Sequence, residues 1–213
     1  MDALAGLGPY FAVEREPAPD GWLPLDDLRD ELLAARVAHT RRSLAERARS
    51  EVEDRIAASI MSLGLFARLV SPVLGSLALH AQPPRIDLVT TRWRPVESGP
   101  WPIAVEPGAP RTLDEVITEV IGPLSDRLAA GFSLSRTILD GNAASAVFGA
   151  VAMLRRLGTA DAGRAADTAL GSLAGGPLRG AGKVEGGFVR ASCCLYYRLP
   201  GGGYCGDCVL AAR

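Results

Sequence analysis

Residues 192–208 read Ser192-Cys193-Cys194-Leu195-Tyr196-Tyr197-Arg198-Leu199-Pro200-Gly201-Gly202-Gly203-Tyr204-Cys205-Gly206-Asp207-Cys208, and they hold all four cysteines of the 213-residue chain. Thiols confined to so short a window cannot staple the remainder, so the body of the protein must stand on its own apolar core. With 48% hydrophobic and 22% charged residues, the chain has the composition of a globular protein long enough to bury one. The formal net charge is −1 and the pI is near 6.1, which argues against a general nucleic-acid binder, since that needs a basic surface. The stretch Met1-Asp2-Ala3-Leu4-Ala5 has an early acid and no basic lead, so it reads poorly as a signal peptide. No run of about 20 apolar residues suggests a transmembrane segment. The expectation is a cytoplasmic protein. Thiols there stay reduced, so clustered cysteines point to metal or redox chemistry before structural disulfides.

Upstream of the cysteines, residues 175–187 are rich in glycine and read as a flexible connector. A phosphate-binding loop fails there because Pro177 and Val184 stand where glycine and a hydroxyl residue are needed. Residues 1–174 read as a helical body. Pro9, Pro17, Pro19 and Pro24 mark an irregular lead-in, packed through Tyr10, Phe11 and Trp22. A helix from Leu25 would bury Leu28, Leu32 and Ala35 and expose Arg29, Asp30 and Arg36. A second helix would carry Val52, Ile56, Ile60 and Leu63 on one face. Ser71 before Pro72 suggests an N-cap opening a further helix that stops before Pro83-Pro84. Residues 86–106, with β-branched Ile86–Trp93 and Trp101–Val105, predict a small β-hairpin. Thr112 and Glu115 form a capping box for a helix burying Leu113, Val116, Val120 and Leu124. Ser133 or Ser135 opens another, with Val147, Val151 and Leu154 inward and Gly158 after its end, and a last helix spans roughly 161–174.

The cysteines themselves follow the pattern C-C-x10-C-x2-C. Two residues between thiolates let a chain curl round one metal, and Gly206 suits the close backbone approach such a knuckle needs. Pro200 and three glycines can fold the first pair back onto the second. Three chemistries fit this spacing: a structural zinc site, an iron–sulfur cluster, and a disulfide or redox-thiol pair. Adjacent Cys193 and Cys194 sit awkwardly for zinc, because neighbouring side chains on extended backbone point to opposite faces. A two-iron cluster is larger and offers two centres.

The segment from Arg190-Ala191-Ser192-Cys193-Cys194 through Cys205-Gly206-Asp207-Cys208 closely resembles the C-terminal signature of FhuF-type ferric-siderophore reductases. A weaker likeness lies in Gly141-Asn142-Ala143-Ala144-Ser145, similar to a Gly-Asn-x-Ala-Ser stretch of that family, while Val209 departs from the proline often found after the last cysteine. The resemblance covers about a tenth of the chain. With the elements read above, the expected fold is α+β, predominantly α-helical: a helical body (1–174) as substrate platform with a hairpin near 86–106, the 175–187 connector, and the segment 188–213, on which the resemblance places a [2Fe–2S] cluster. The resemblance implies that Cys193, Cys194, Cys205 and Cys208 ligate a [2Fe–2S] cluster, and that the protein reduces Fe(III) in a ferric hydroxamate siderophore in the cytoplasm, releasing Fe(II). The rival readings are a zinc-binding structural or interaction protein and an iron–sulfur redox sensor.

No dinucleotide fingerprint is present to bind a nicotinamide or FAD, so the electron is expected from a separate ferredoxin-like or flavin donor. In the cluster environment, Tyr196, Tyr197 and Tyr204 shield the cluster or cover the segment's apolar side. Arg198 either places a positive charge near the cluster or is a solvated arginine paired with Asp207, and Gly206 and Asp207 lie within the knuckle. Arg92, Trp93 and Asn142 are weaker candidates for contact with a chelate. His39, His80 and the Glu51, Glu53, Asp54 group read as ordinary surface residues.

Overall fold

The computed structural model describes residues 3–15, 20–159 and 161–211. Pro17 and Pro19 of the lead-in lie outside them. The architecture is predominantly helical with two small antiparallel sheets, as expected from the sequence. Its helices are α1 (Asp30–Ala48), α2 (Asp54–Ala78), α3 (Leu113–Glu115), α4 (Gly122–Phe132), α5 (Arg136–Arg156) and α6 (Ala162–Ala174).

The core is built on α2 packed along α5, with α1, α4 and α6 around this pair. Leu65, Phe66, Leu69, Val73 and Leu74 of α2 and Leu139, Val147 and Leu154 of α5 are all buried. By length and composition alone α2 and α5 could each cross a membrane, a property the sequence reading did not assign; most of both is covered by the rest of the fold. No helix begins at Ser71. Helix α2 runs straight through Pro72, although a proline inside a helix costs about 3 kcal/mol. The buried residues on both sides of it, from Leu69 to Leu74, offset that cost, so burial overrides the local rule.

The expected capping box is present: the Glu115 N–H donates to Thr112 Oγ1 and the Thr112 N–H to Glu115 Oε2. From α3 the chain passes through a π-helical turn (Val116–Ile121) into α4. Pro123 has no N–H to return to the preceding turn, and the helix widens just before it. Ser135 caps α5 by accepting the Ile138 N–H, and Gly158 follows its end at φ +64°. Leu33 and Val37 form the buried face of α1. Ala35 is exposed, whereas Arg36, expected outside, is buried, donating to Val96 O and lying over the Trp101 ring.

The predicted hairpin is shorter than its sequence suggested. Strands β1 (Leu23–Pro24), β2 (Arg92–Trp93) and β3 (Ile103–Ala104) form an antiparallel sheet in that order, with Trp93 opposite both Leu23 and Ile103. Ile86–Val89 does not extend it, because the Asp87 carboxylate accepts the Val89 and Thr90 N–H groups and folds the chain into a turn. The stretch read as a flexible connector is hydrogen-bonded into the body: Leu178 N–H donates to Ser172 O, and β4 (Gly182–Val184) pairs with β5 (Phe188–Arg190).

A buried arginine fastens the N-terminal segment. Arg68 of α2 donates to the carbonyls of Trp101 (2.7 Å), Tyr10 (2.7 Å) and Ala12, and burial draws its pKa down to about 10. Replacing Arg68 by methionine should cost about 2 kcal/mol, because these carbonyls lose their charged donor. Urea unfolding checks this; an unchanged midpoint would mean that water replaces the guanidinium without loss.

Candidate metal centre

Strand β5 delivers the cysteine segment to the surface formed by α2 and α5. Contact is close at Gly141 of α5, where a side-chain Cβ would stand 2.2 Å from Ser192 Oγ. Ser192 in turn donates to Thr137 O at 2.7 Å. A glycine in the Gly141–Ser145 stretch is therefore required for the segment to lie against the helix. After Cys194 the backbone reverses at Leu195, a buried non-glycine residue at φ +68°, a conformation held only where surrounding structure enforces it. A short 3-10 turn (Tyr196–Arg198) follows, and at Gly202 a Cβ would meet Tyr196 O at 2.5 Å. The glycine run thus closes the loop that returns the chain to Cys205.

All four cysteines are unbonded thiols. Cys194 and Cys208 are buried, while Cys193 and Cys205 are half-buried. They come together as a group. Cys194 and Cys205 form a first pair, Sγ to Sγ 3.6 Å, and Cys193 has both Cys194 and Cys208 beside it. Two thiolates on one tetrahedral centre with metal–sulfur bonds of about 2.3 Å are separated by roughly 3.8 Å, so the first pair already has the spacing of ligands to one metal. Among the described residues no three His, Cys, Asp or Glu side chains converge on a single ion position. Backbone N–H groups already point at the sulfurs: Leu195 N–H to Cys193 Sγ at 3.3 Å and Leu210 N–H to Cys208 Sγ at 3.4 Å. Such bonds stabilise thiolate and help set a cluster's potential. Burial pushes the thiols of Cys193 and Cys205 up from their ordinary range, with neighbouring cysteines adding to the effect. A metal centre would reverse that.

Behind the thiols sits a buried polar network that the sequence reading did not anticipate. The Arg190 side chain is only 1% exposed. It donates to both oxygens of Asp207 (2.9–3.1 Å), to Asn142 Oδ1 (2.8 Å) and to Ser145 Oγ. Asn142 passes the connection on, its Nδ2 donating to Ser59 O, Ser59 Oγ and Ser62 Oγ. Ser59 Oγ then donates to Cys194 O at 2.8 Å. Burial resists ionisation of Asp207, but the Ser145 hydroxyl and the Arg190 guanidinium hold its carboxyl below the usual range. The signal available in the sequence was the pairing of an arginine before the first cysteines with an aspartate inside the knuckle.

The other candidate residues fall into place around this arrangement. Asp207 pairs with Arg190, and Arg198 instead meets Glu53 at 2.6 Å on the surface. Tyr196, Tyr197 and Tyr204 are exposed, as is Gly206. Asn142 is fully buried with its amide engaged, so it holds the segment and faces no chelate. Trp93 is fully buried, stacked on Trp101 at 4.8 Å with its Nε1 donating to Pro24 O, and offers a chelate no surface. Arg92 lies in the β1–β2–β3 sheet, 3.9 Å from Glu106.

A helical body presenting four clustered thiols on a C-terminal segment defines a candidate metal-binding protein. Residues 190–210 match the family described as the FhuF 2Fe-2S C-terminal domain. The chain therefore carries that domain, and the resemblance read from its cysteine signature holds. Its cofactor is a [2Fe–2S] cluster, which Cys193, Cys194, Cys205 and Cys208 are placed to hold. No curated protein matches the chain significantly.

Proposed function

We propose that the protein is a cytoplasmic ferric-siderophore reductase acting on hydroxamate-type chelates. The single observation that carries this reading is the four-thiol cluster within the matched 190–210 domain. When bound, a [2Fe–2S] cluster supplies a one-electron donor, suited to electron transfer and not to acid–base chemistry. The chain's own residues do the rest. Arg190, Asp207 and Asn142 fix the cysteine segment against α2 and α5, the Leu195 and Leu210 N–H groups face the sulfurs, and Cys194 and Cys208 are buried.

One electron passes from the reduced protein to Fe(III) in the chelate and yields Fe(II). A separate ferredoxin-like or flavin donor then restores the reduced protein. Hard anionic oxygens hold Fe(III) better than Fe(II), so reduction loosens the chelate, and protonation of the freed oxygens completes release. Anaerobic mixing of chemically reduced holoprotein with a ferric hydroxamate should reoxidise the protein as one equivalent of Fe(II) per electron is trapped by a ferrous-specific dye. A protein that stays reduced in the presence of excess ferric hydroxamate would sink the reading.

A further inference from the structure

Beside the metal centre, a groove of about 670 Å³ runs between the C-terminal half of α5, α6 and the β4–β5 hairpin. Its volume is that of a small-molecule site. One wall is formed by Gly206 and Asp207, the two residues between Cys205 and Cys208, so anything seated there lies against the knuckle itself. Another wall is apolar: Phe148 and Phe188 stack at 4.4 Å with their rings 4° from parallel, beside the exposed side chains of Leu170 and Val184.

The charges lining the groove are Arg155, Arg156 and Asp207. Asp207 is already matched by the bidentate Arg190. Arg155 and Arg156 are exposed, and among the described residues neither guanidinium has a hydrogen-bonding or ion-pair partner. They offset the negative end of the α5 dipole, but two adjacent guanidiniums leave forks free to bind an anionic oxygen ligand. The groove therefore offers an aromatic wall for the organic spacer of a chelate, two free cations for its oxygens, and contact with the loop that joins two thiols.

We propose that this groove is the chelate-binding site and that Arg155 and Arg156 make it prefer a ferric hydroxamate carrying net negative charge. The proposal rests on the reductase reading and names its substrate class. Gallium(III), which is not reduced, separates binding from chemistry. The probes are gallium(III) desferrioxamine B, which is cationic, its neutral N-acetyl derivative and its anionic N-succinyl derivative, titrated calorimetrically into anaerobic holoprotein at low salt. The anionic complex should bind about tenfold more tightly than the cationic one, the sum expected from two exposed charge contacts.

In the double variant Arg155→Gln/Arg156→Gln that discrimination should vanish while the visible spectrum of the centre stays unchanged. Arg42→Gln, on α1 and outside the groove, should leave it intact. Equal binding of the three complexes, discrimination retained in the double variant, or an equal loss in Arg42→Gln would each overturn the proposal. If the gallium complexes discriminate as expected but the corresponding iron complexes are never reduced, the binding site stands and the reductase reading falls.

Discussion

Replacing Arg190 by methionine is expected to destabilise the protein by about 3–5 kcal/mol, the cost of breaking a buried charge pair by removing one partner. The guanidinium is 1% exposed and engages Asp207, Asn142 and Ser145 together. Without it, the half-buried Asp207 carboxylate loses its counter-ion, and Asn142 Oδ1 loses its donor. Urea unfolding of the purified protein measures the loss. The double variant Arg190→Met/Asp207→Leu should recover much of it, because a buried pair replaced by apolar residues is often near neutral. If Arg190→Met costs less than about 1 kcal/mol, as exposed pairs do, the network is not the clamp described above.

The second large effect is at the thiols. Cys194→Ser should lower bound iron more than about tenfold and erase the native [2Fe–2S] absorption, since losing a ligand costs at least as much as losing a residue that orients one. Cys194 is the buried member of the 3.6 Å pair with Cys205. Iron content and the visible spectrum after anaerobic purification check this. Arg198→Gln serves as the contrast: its side chain pairs with Glu53 on the surface, and its spectrum should match the parent. A Cys194→Ser protein with native iron content would remove that residue from the ligand set.

The features legible in the sequence were those specified locally. The C-C-x10-C-x2-C spacing places thiols through a loop of fixed length, the Thr112–Glu115 capping box closes within one turn, and Ser135 and Gly158 bracket α5 by their own backbone preferences. Ser71-Pro72 misled because a helix start and a tolerated proline share one local pattern, and only burial on both sides of Pro72 separates them. Arg36, Arg68 and Arg190 were invisible for a related reason. An arginine is normally solvated, and its burial depends on carbonyls and carboxylates brought in from elsewhere in the chain. The groove was illegible altogether, as its walls come from residues between Ser145 and Asp207 that carry no shared pattern.

The bond from Ser59 Oγ to Cys194 O spans 135 residues of chain. Such a long closure sets an order of events during synthesis. Domains form progressively from the N-terminus as the chain emerges at about 5–20 residues per second, so α2 and α5 can meet before the cysteines have left the ribosome. Ser59, Ser62 and Asn142 then wait as an open polar recess until Arg190 and the thiols arrive to fill it. Docking of the cysteine segment is therefore what closes that recess, and the segment arrives at a site the helices have already shaped.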